Sequence, residues 1–433
     1  MVKIKAALLA SLVVCSIVLS TLLIFEQPVP SRGNLDTGPW FGPIPDLHEV
    51  SLPQRIYICN SAQEVSLIET MSQVYLDLVR ALGLMELSNE QGGDAWVTSE
   101  FTRDSIQAGV LFRYDYQIAR DMLANWLAMF YETDFPFAAI DCIFVPLDGG
   151  EVKFINTATK TLWQLQVDLP LTVFQQTAAE AGNLPAYPMA VMESGEAYAV
   201  APGVFDLAKP EHIAVPACEL EAVKTGEIIS SFFLNPSIIT ETDGAKTYTD
   251  GFAALRVFPS GALEYTFGGQ SQGAAYYSQT QLMQKALGFI GAHGGWPENM
   301  LPVSLSNRPA QSVGLEFRSF ARGLPVTGEN IDLSVEFLAD TVSGYRRNLA
   351  VADEEAEPIF IEIKPLTTHL ATESQAGLFF TENKKLISNS TLAYYWQQDR
   401  LIPVWQVSAE NKVVYVAASD GRILQIETLS GGK

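Results

Sequence analysis

The residues with the clearest potential for chemistry lie between Gly269 and His369. Gly269-Gln270-Ser271-Gln272-Gly273 fits the G-x-S-x-G pattern of a nucleophile elbow, and Asp332, Asp340 and His369 follow in the Ser, Asp, His order that α/β-hydrolases use. An elbow needs a buried parallel strand before the serine and a helix after it. Here the preceding strand alternates Glu264 and Thr266 with apolar residues and leaves an antiparallel hairpin, the wrong sheet type, with no glycine-rich oxyanion loop upstream. A serine hydrolase using Ser271 is therefore the least favoured reading.

Other candidates are weaker. The four histidines, His48, His212, His293 and His369, are scattered without a second ligand at metal spacing. Ala352–Pro358, "ADEEAEP", carries four carboxylates but no glycine turn or alternating oxygen pattern, so it reads as a solvated loop, as do Glu241, Asp243 and Asp250. The spacing of Cys59, Cys142 and Cys218 matches neither a zinc site nor a redox motif. There is no P-loop, dinucleotide fingerprint or His-Glu-x-x-His. With 27 basic against 49 acidic residues the formal charge is −22, the wrong sign for gripping phosphate backbones, which excludes nucleic acid. No catalytic residue, cofactor or metal is expected.

The elements that would carry any function begin with Ala6–Phe25, a run of 20 residues without a charge, preceded by Lys3 and Lys5. At about 1.5 Å per residue it spans the ~30 Å hydrocarbon core of a bilayer. A cleaved signal peptide would need a shorter apolar run and a small-x-small site, which "LLIFEQPVP" lacks, and lipoprotein processing at Cys15 fails because Val14 is not small. The expected topology is a cytoplasmic tip at residues 1–5, an uncleaved single-pass anchor at 6–25, and everything beyond it outside the cell membrane. Residues 26–45, with Pro- and Gly-rich sequence throughout, form a semi-stiff stalk.

The body reads as α+β with antiparallel meander sheets, divided at 46–168, 169–270 and 271–433. In the first part a helix is expected from Ser61 through Leu82 and another over Tyr116–Met129, followed by three antiparallel strands in "AAIDCIFVPLDGGEVKFINTATKTLWQLQV". Helices are expected at Leu171–Ala181 and Gln279–His293. The last third repeats a helix-plus-meander pattern, with Pro325 and Pro403 in equivalent places, 403 − 325 = 78 residues apart.

Between the second and third parts lies "AKTYTDGFAALRVFPSGALEYTF", Ala245–Phe267. Asp250-Gly251 is a preferred type I′ hairpin turn and predicts the pairs Thr249–Phe252 and Tyr248–Ala253. Pro259-Ser260-Gly261 fits a three-residue loop and predicts Val257 opposite Leu263, Leu255 opposite Tyr265, and Arg256 opposite Glu264 as an exposed charge pair. The window is a three-stranded meander.

These residues also carry a resemblance. Phe232-Phe233, Asn235-Pro236-Ser237, Tyr248-Thr249-Asp250-Gly251, Arg256 and Glu264-Tyr265 resemble the middle of the YycH proteins. Gly323, Leu324, Pro325 and Val326 with Tyr345, Arg346 and Arg347 are similar to that family's Gly-x-Pro-Val strand pair and Tyr-Arg-Arg, and "IPVWQV" to the end shared by YycH and the smaller YycI. The resemblance implies a non-enzymatic, single-pass extracytoplasmic regulator of the Wal (YycFG) two-component system of Gram-positive bacteria. It would act on cell-wall metabolism with the sensor histidine kinase and a YycI-like protein as partners. Ala10, Ser16 and Ser20 are small residues available for contact between transmembrane helices. An exported ligand-binding sensor is the alternative from a different class.

Overall fold

The computed structural model describes residues 41–433 except for 62–63, 88–96, 101–107, 133–134, 181–185, 189–198, 201–209, 221–224, 243, 270–276, 309–311, 329–331, 372–373, 384–385, 398–399 and 429–433. The Ala6–Phe25 run, with Ala10, Ser16 and Ser20, and the serine of the elbow motif, Ser271, lie outside the described residues. Among those described, no helix is long and apolar enough to cross a membrane.

An eight-stranded antiparallel sheet comes first. Its order is Ala186–Pro188, Glu64–Ile68, Arg55–Ser61, Gly109–Ala119, Ala139–Pro146, Val152–Asn156, Thr161–Leu165, Val97–Glu100. Strand alternation decides its layers. Ile56, Phe112, Ile143 and Phe154 stand opposite one another in register and are fully buried beside the Gln73–Gly83 and Leu171–Glu180 helices. Tyr57, Leu111 and Phe144 form the corresponding row on the opposite face.

Two expected helices are partly strand. Glu64–Ile68 is a strand paired with Arg55–Ser61, and the helix starts only at Gln73, where Ser72 Oγ accepts a hydrogen bond from the Tyr75 amide at 3.2 Å. Val65 and Leu67 satisfy a strand period as well as a helical one, and Met71, at φ +65°, breaks the chain between the two elements. Tyr116 likewise belongs to the end of the long Gly109–Ala119 strand, and only Arg120–Leu123 and Met129–Glu132 are helical in that region. The three strands after Ala139 and the helices at Leu171–Glu180 and Gln279–Ala292 stand as expected. Ser278 and Gln281 close a capping box at the start of the Gln279–Ala292 helix.

The second, larger sheet holds 14 strands. Its path runs from Ser237–Thr240 at one edge through Lys246–Thr249, Ala253–Val257, Ala262–Phe267, Thr341–Asn348, Leu333–Leu338 and Ser312–Ala321. It crosses Leu324–Gly328 and continues through Leu386–Gln397, Arg400–Ala409, Lys412–Ala417 and Ile423–Thr428. In sequence the Gln279–Ala292 helix precedes a first group of meander strands, between Met300 and Asp353, and the short helices Leu366–Leu370 and Gln375–Asn383 precede a second, between Leu386 and Thr428. Pro325 and Pro403 sit in different contexts: Pro403 lies within a ten-residue antiparallel strand, whereas Pro325 belongs to the short strand that leaves its own meander and pairs in parallel with the next. Both segments flank one strand, with Val326 on one side of Tyr394 and Pro403 on the other.

The described residues from Phe41 form one compact unit. Its largest buried cluster draws on the first sheet, the Gln279–Ala292 helix and the first group of meander strands together.

Candidate functional site

The residues picked out in the sequence gather in two places. The first is the outer meander between Asn235 and Phe267 with its neighbour Thr341–Asn348; the second is the joint around Gly323.

In the outer meander the loop Pro259–Gly261 closes as expected: Gly261 takes φ +83°, and the pairs Val257–Leu263, Leu255–Tyr265 and Arg256–Glu264 all form. The Asp250–Gly251 turn does not take the expected form. Thr249 pairs with Ala254 and Tyr248 with Leu255, so the loop has four residues, and only Gly251, at φ +93°, enters the left-handed region. The cause is the Asp250 side chain, whose Oδ1 accepts from the amides of Phe252 and Ala253, both at 2.9 Å, while Thr249 Oγ1 accepts from the Gly251 amide at 3.0 Å. These side-chain bonds replace the backbone bond of a two-residue turn.

Register then sorts the motif residues onto two faces. Tyr248, Leu255, Tyr265 and Tyr345 stand in one row that continues into Val335 and Leu315. Helices cover this row. Phe232, at the end of the Thr225–Phe232 helix, stacks on Tyr265 with ring centroids 4.7 Å apart and on His293 at 4.0 Å, while Phe289 meets Tyr345 edge-on at 5.4 Å. His293 Nδ1 lies 3.0 Å from Ser231 Oγ, and burial lowers its pKa to about 4, so the ring is a neutral member of an aromatic box. Tyr345 donates from its hydroxyl to the His293 carbonyl at 3.4 Å.

The other face is polar. Thr247, Arg256, Glu264 and Arg346 follow one another across four strands. Arg256 Nη2 donates to Glu241 at 2.5 Å and Arg346 Nη2 donates to Glu264 at 3.2 Å, so the charges form a ladder wider than the single expected pair. Neighbouring arginines divide by strand period: Arg346 points outward, whereas Arg347 is buried and donates from Nη1 to the Gly295 carbonyl at 2.6 Å. Asn235 lies in the bend between the Thr225–Phe232 helix and the edge strand, and Pro236 leads from it into that strand.

At the joint, Arg322 and Gly323 both take positive φ, +44° and +74°, between the pairs Ala321–Leu324 and Phe320–Pro325. That is the two-residue primed hairpin expected at Asp250–Gly251, found at a different place. Arg322 tolerates the conformation with its amide donating to Glu354 Oε1 at 2.9 Å and Nη2 donating to the Glu354 carbonyl at 3.1 Å. The turn presses on the Glu69–Thr70 segment that follows the Glu64–Ile68 strand of the first sheet. Beside it the buried Arg55 forms an ion pair with Asp115, which reaches solvent, and donates to Thr391 Oγ1 at 2.6 Å. Burial opposes the Arg55 charge, and the attraction of Asp115 and Tyr57 more than offsets it, so the guanidinium stays protonated. The cavity between Arg55, Tyr57, Gly323, Pro325, Thr391 and Trp405 measures about 20 Å³, room for about one water and not for a ligand.

The hydrolase candidates are not brought together in a catalytic arrangement among the described residues. Asp332 accepts two hydrogen bonds from Arg318, at 2.9 and 2.7 Å. His369 is buried with Nε2 2.9 Å from the Ala418 carbonyl, and Asp340 caps an exposed turn through Thr341. In the acidic loop Asp353 Oδ1 accepts from the amides of Glu355 and Ala356, and Glu354 is engaged by Arg322. No group of His, Cys, Asp or Glu among the described residues has metal-binding geometry. Burial pushes the Cys59 thiol up to about 12 and raises that of Cys142, which keeps both unreactive. One larger depression, about 490 Å³, opens over Phe144 between Pro146, Asp148, Glu151 and Lys153.

The aromatic box and the Arg55–Asp115 pair escape sequence reasoning. Phe232, Tyr265 and Tyr345 are singled out as motif positions but not as neighbours, and Phe289 and His293 lie four residues apart along one helix and its end, hence on one face.

No family model and no curated protein matches the sequence. Among solved structures the chain is similar to the crystal structure of YycH from Bacillus subtilis, with a TM-score of 0.65 and 15% identity over 87% of this chain and 98% of that one. The fold is YycH-like. An uncharacterized protein from Eubacterium rectale (TM-score 0.33, 10% identity, 57% of this chain and 95% of that one) and the Bacillus megaterium YpeB C-terminal domain (0.27, 12%, 49% and 100%) are also found, at scores too low to bear on the fold.

Proposed function

We propose that this chain is a membrane-anchored extracytoplasmic accessory regulator of a sensor histidine kinase, of the YycH kind, acting through protein contacts rather than chemistry. The observation that carries the reading is the extent of the fold likeness, which takes in nearly the whole of the YycH chain. The motif residues support it: those shared with the YycH pattern build the outer meander and the joint. Anchored by Ala6–Phe25, the body lies outside the membrane, and the partners are the kinase of the Wal (YycFG) system and a YycI-like protein. Ala10, Ser16 and Ser20 provide the close helix contact through which the anchor shifts the kinase's transmembrane packing.

The test replaces residues 6–25 with an unrelated transmembrane helix and follows kinase output in cells. Altered output with unchanged membrane levels of the protein supports the reading. Unchanged output, together with no kinase or YycI-like protein co-purifying with the full chain from membranes, sinks it.

A second reading has one specific observation in its favour. The depression over Phe144 is large enough for a small molecule, and it joins an apolar floor to Lys153, whose pKa is lowered by burial against the pull of Asp148 and Glu151. A thermal-shift screen of the full chain in detergent, with Lys153→Ala as the control, decides whether it binds one.

A further inference from the structure

We propose that the free corner of the larger sheet, built by Leu234, Ile238, Ile239 and Phe252, is a lipid-facing surface that rests on the headgroup boundary of the membrane holding the chain. This rests on the anchor reading above. These side chains are exposed at 93%, 61%, 56% and 54%, and they lie together because Ser237 pairs with Thr249, which brings the strand start beside the Phe252 loop.

Ile238 extends the apolar row Tyr248–Leu255–Tyr265–Tyr345, whereas Ile239 extends the polar row Thr247–Arg256–Glu264–Arg346. Both faces of the last strand are therefore apolar, where the polar side of every preceding strand in the row carries a hydroxyl or a charge. Apolar side chains exposed on both faces of a sheet edge and at the loop beside it mark an interaction surface.

The position of the tether says what covers it. Phe41 packs into the cluster of Ile228, Leu255, Leu263 and Leu349, the core of the lobe that carries the patch. Residues 26–40 separate it from the end of the apolar run, and fully extended they reach at most about 54 Å. The lobe is thus the part of the body tied to the bilayer. A partner strand is the poorer occupant: the edge strand, Ser237–Thr240, has four residues and follows Pro236, too short a ladder to hold another chain. With a formal charge of −22 and no basic cluster at the corner, the contact is with zwitterionic rather than anionic lipid.

The experiment uses the full chain in phosphatidylcholine vesicles, with Cys15→Ala and Cys218→Ala, carrying a fluorophore at Ile238→Cys or Phe252→Cys and, as reference, at the exposed Leu84→Cys. Nitroxide-bearing lipids should quench the two corner labels about threefold or more over the reference, and less when half of the lipid is anionic. Release of the chain by carbonate overturns the anchor reading and this proposal with it. A chain that stays in the membrane with corner labels no more quenched than the reference overturns this proposal alone. Excimer emission from pyrene at Ile238→Cys without lipid quenching assigns the corner to a second copy and also overturns it.

Discussion

A β-carbon added to Gly323 would lie 2.2 Å from Glu69 Cγ and 2.7 Å from Glu69 Cα; one added to Gly251 would meet nothing within 4 Å. Both glycines take positive φ in short connections of the same large sheet, and both belong to the motif that marks the chain. The joint is packed against the first sheet, the Arg55–Asp115 ion pair and the strand Leu386–Gln397. The outer meander is closed on one face only, by the aromatic box, and open at its edge. Both glycines thus serve turn geometry, and at Gly323 close packing is added to it.

The largest expected effect tests whether the joint is held by its ion pair. Asp115→Ala leaves the Arg55 guanidinium buried without its carboxylate and should cost about 3–5 kcal/mol in denaturant unfolding. A cost under about 1 kcal/mol would mean that the joint can rearrange and that the contrast is overstated.

The two glycines give the direct comparison. Gly323→Ala adds an encounter with the Glu69–Thr70 backbone to the strain of positive φ and should cost about 3 kcal/mol, whereas Gly251→Ala carries the strain alone, about 1 kcal/mol. Equal costs would abolish the distinction between the regions.

The aromatic box adds a pH dependence to the outer lobe. Unfolded, His293 titrates near pH 6.5; folded, burial lowers it to about 4. Between those values the unfolded chain binds the proton and the native one does not, so the stabilisation present above pH 6.5 is lost as pH falls towards 4. The loss should be about 2 kcal/mol, allowing for the part-exposed ring. His293→Phe keeps a ring beside Phe232 and should remove this slope from unfolding curves measured between those pH values.

The smallest effect is at the open edge, where Ile238→Ser should change stability by less than about 0.5 kcal/mol because the side chain is already in solvent. A large loss would show that the edge is covered within the folded chain.

How much of this could be read in advance varies element by element. The hairpin at Pro259–Gly261 was legible to the pair, because proline fixes its φ and glycine takes the left-handed position that closes the loop at no steric cost. The Asp250–Gly251 turn was legible as a turn and wrong as a type, since an aspartate can close a loop with its own carboxylate, and dipeptide preference does not say which option the flanking threonine will support. Val65 and Leu67 were misassigned because a short apolar run fits both periods until a partner strand is present. The YycH-like fold itself was legible from motif positions concentrated in the second half of the chain.

Local sequence thus determined what depends on a few neighbouring residues: the charge, the turns, the strand period that turns Arg346 outward and Arg347 inward, and the α+β character. Tertiary structure alone decided what depends on distant parts meeting. It set Gly323 against Glu69, put Arg55 beside Asp115 and Thr391, and closed Phe232, Tyr265, Phe289 and Tyr345 around His293. The reason is physical. Backbone propensity acts over a few residues, whereas burial, which gives a glycine, a histidine or an ion pair its energetic weight, belongs to surfaces brought together only by the fold.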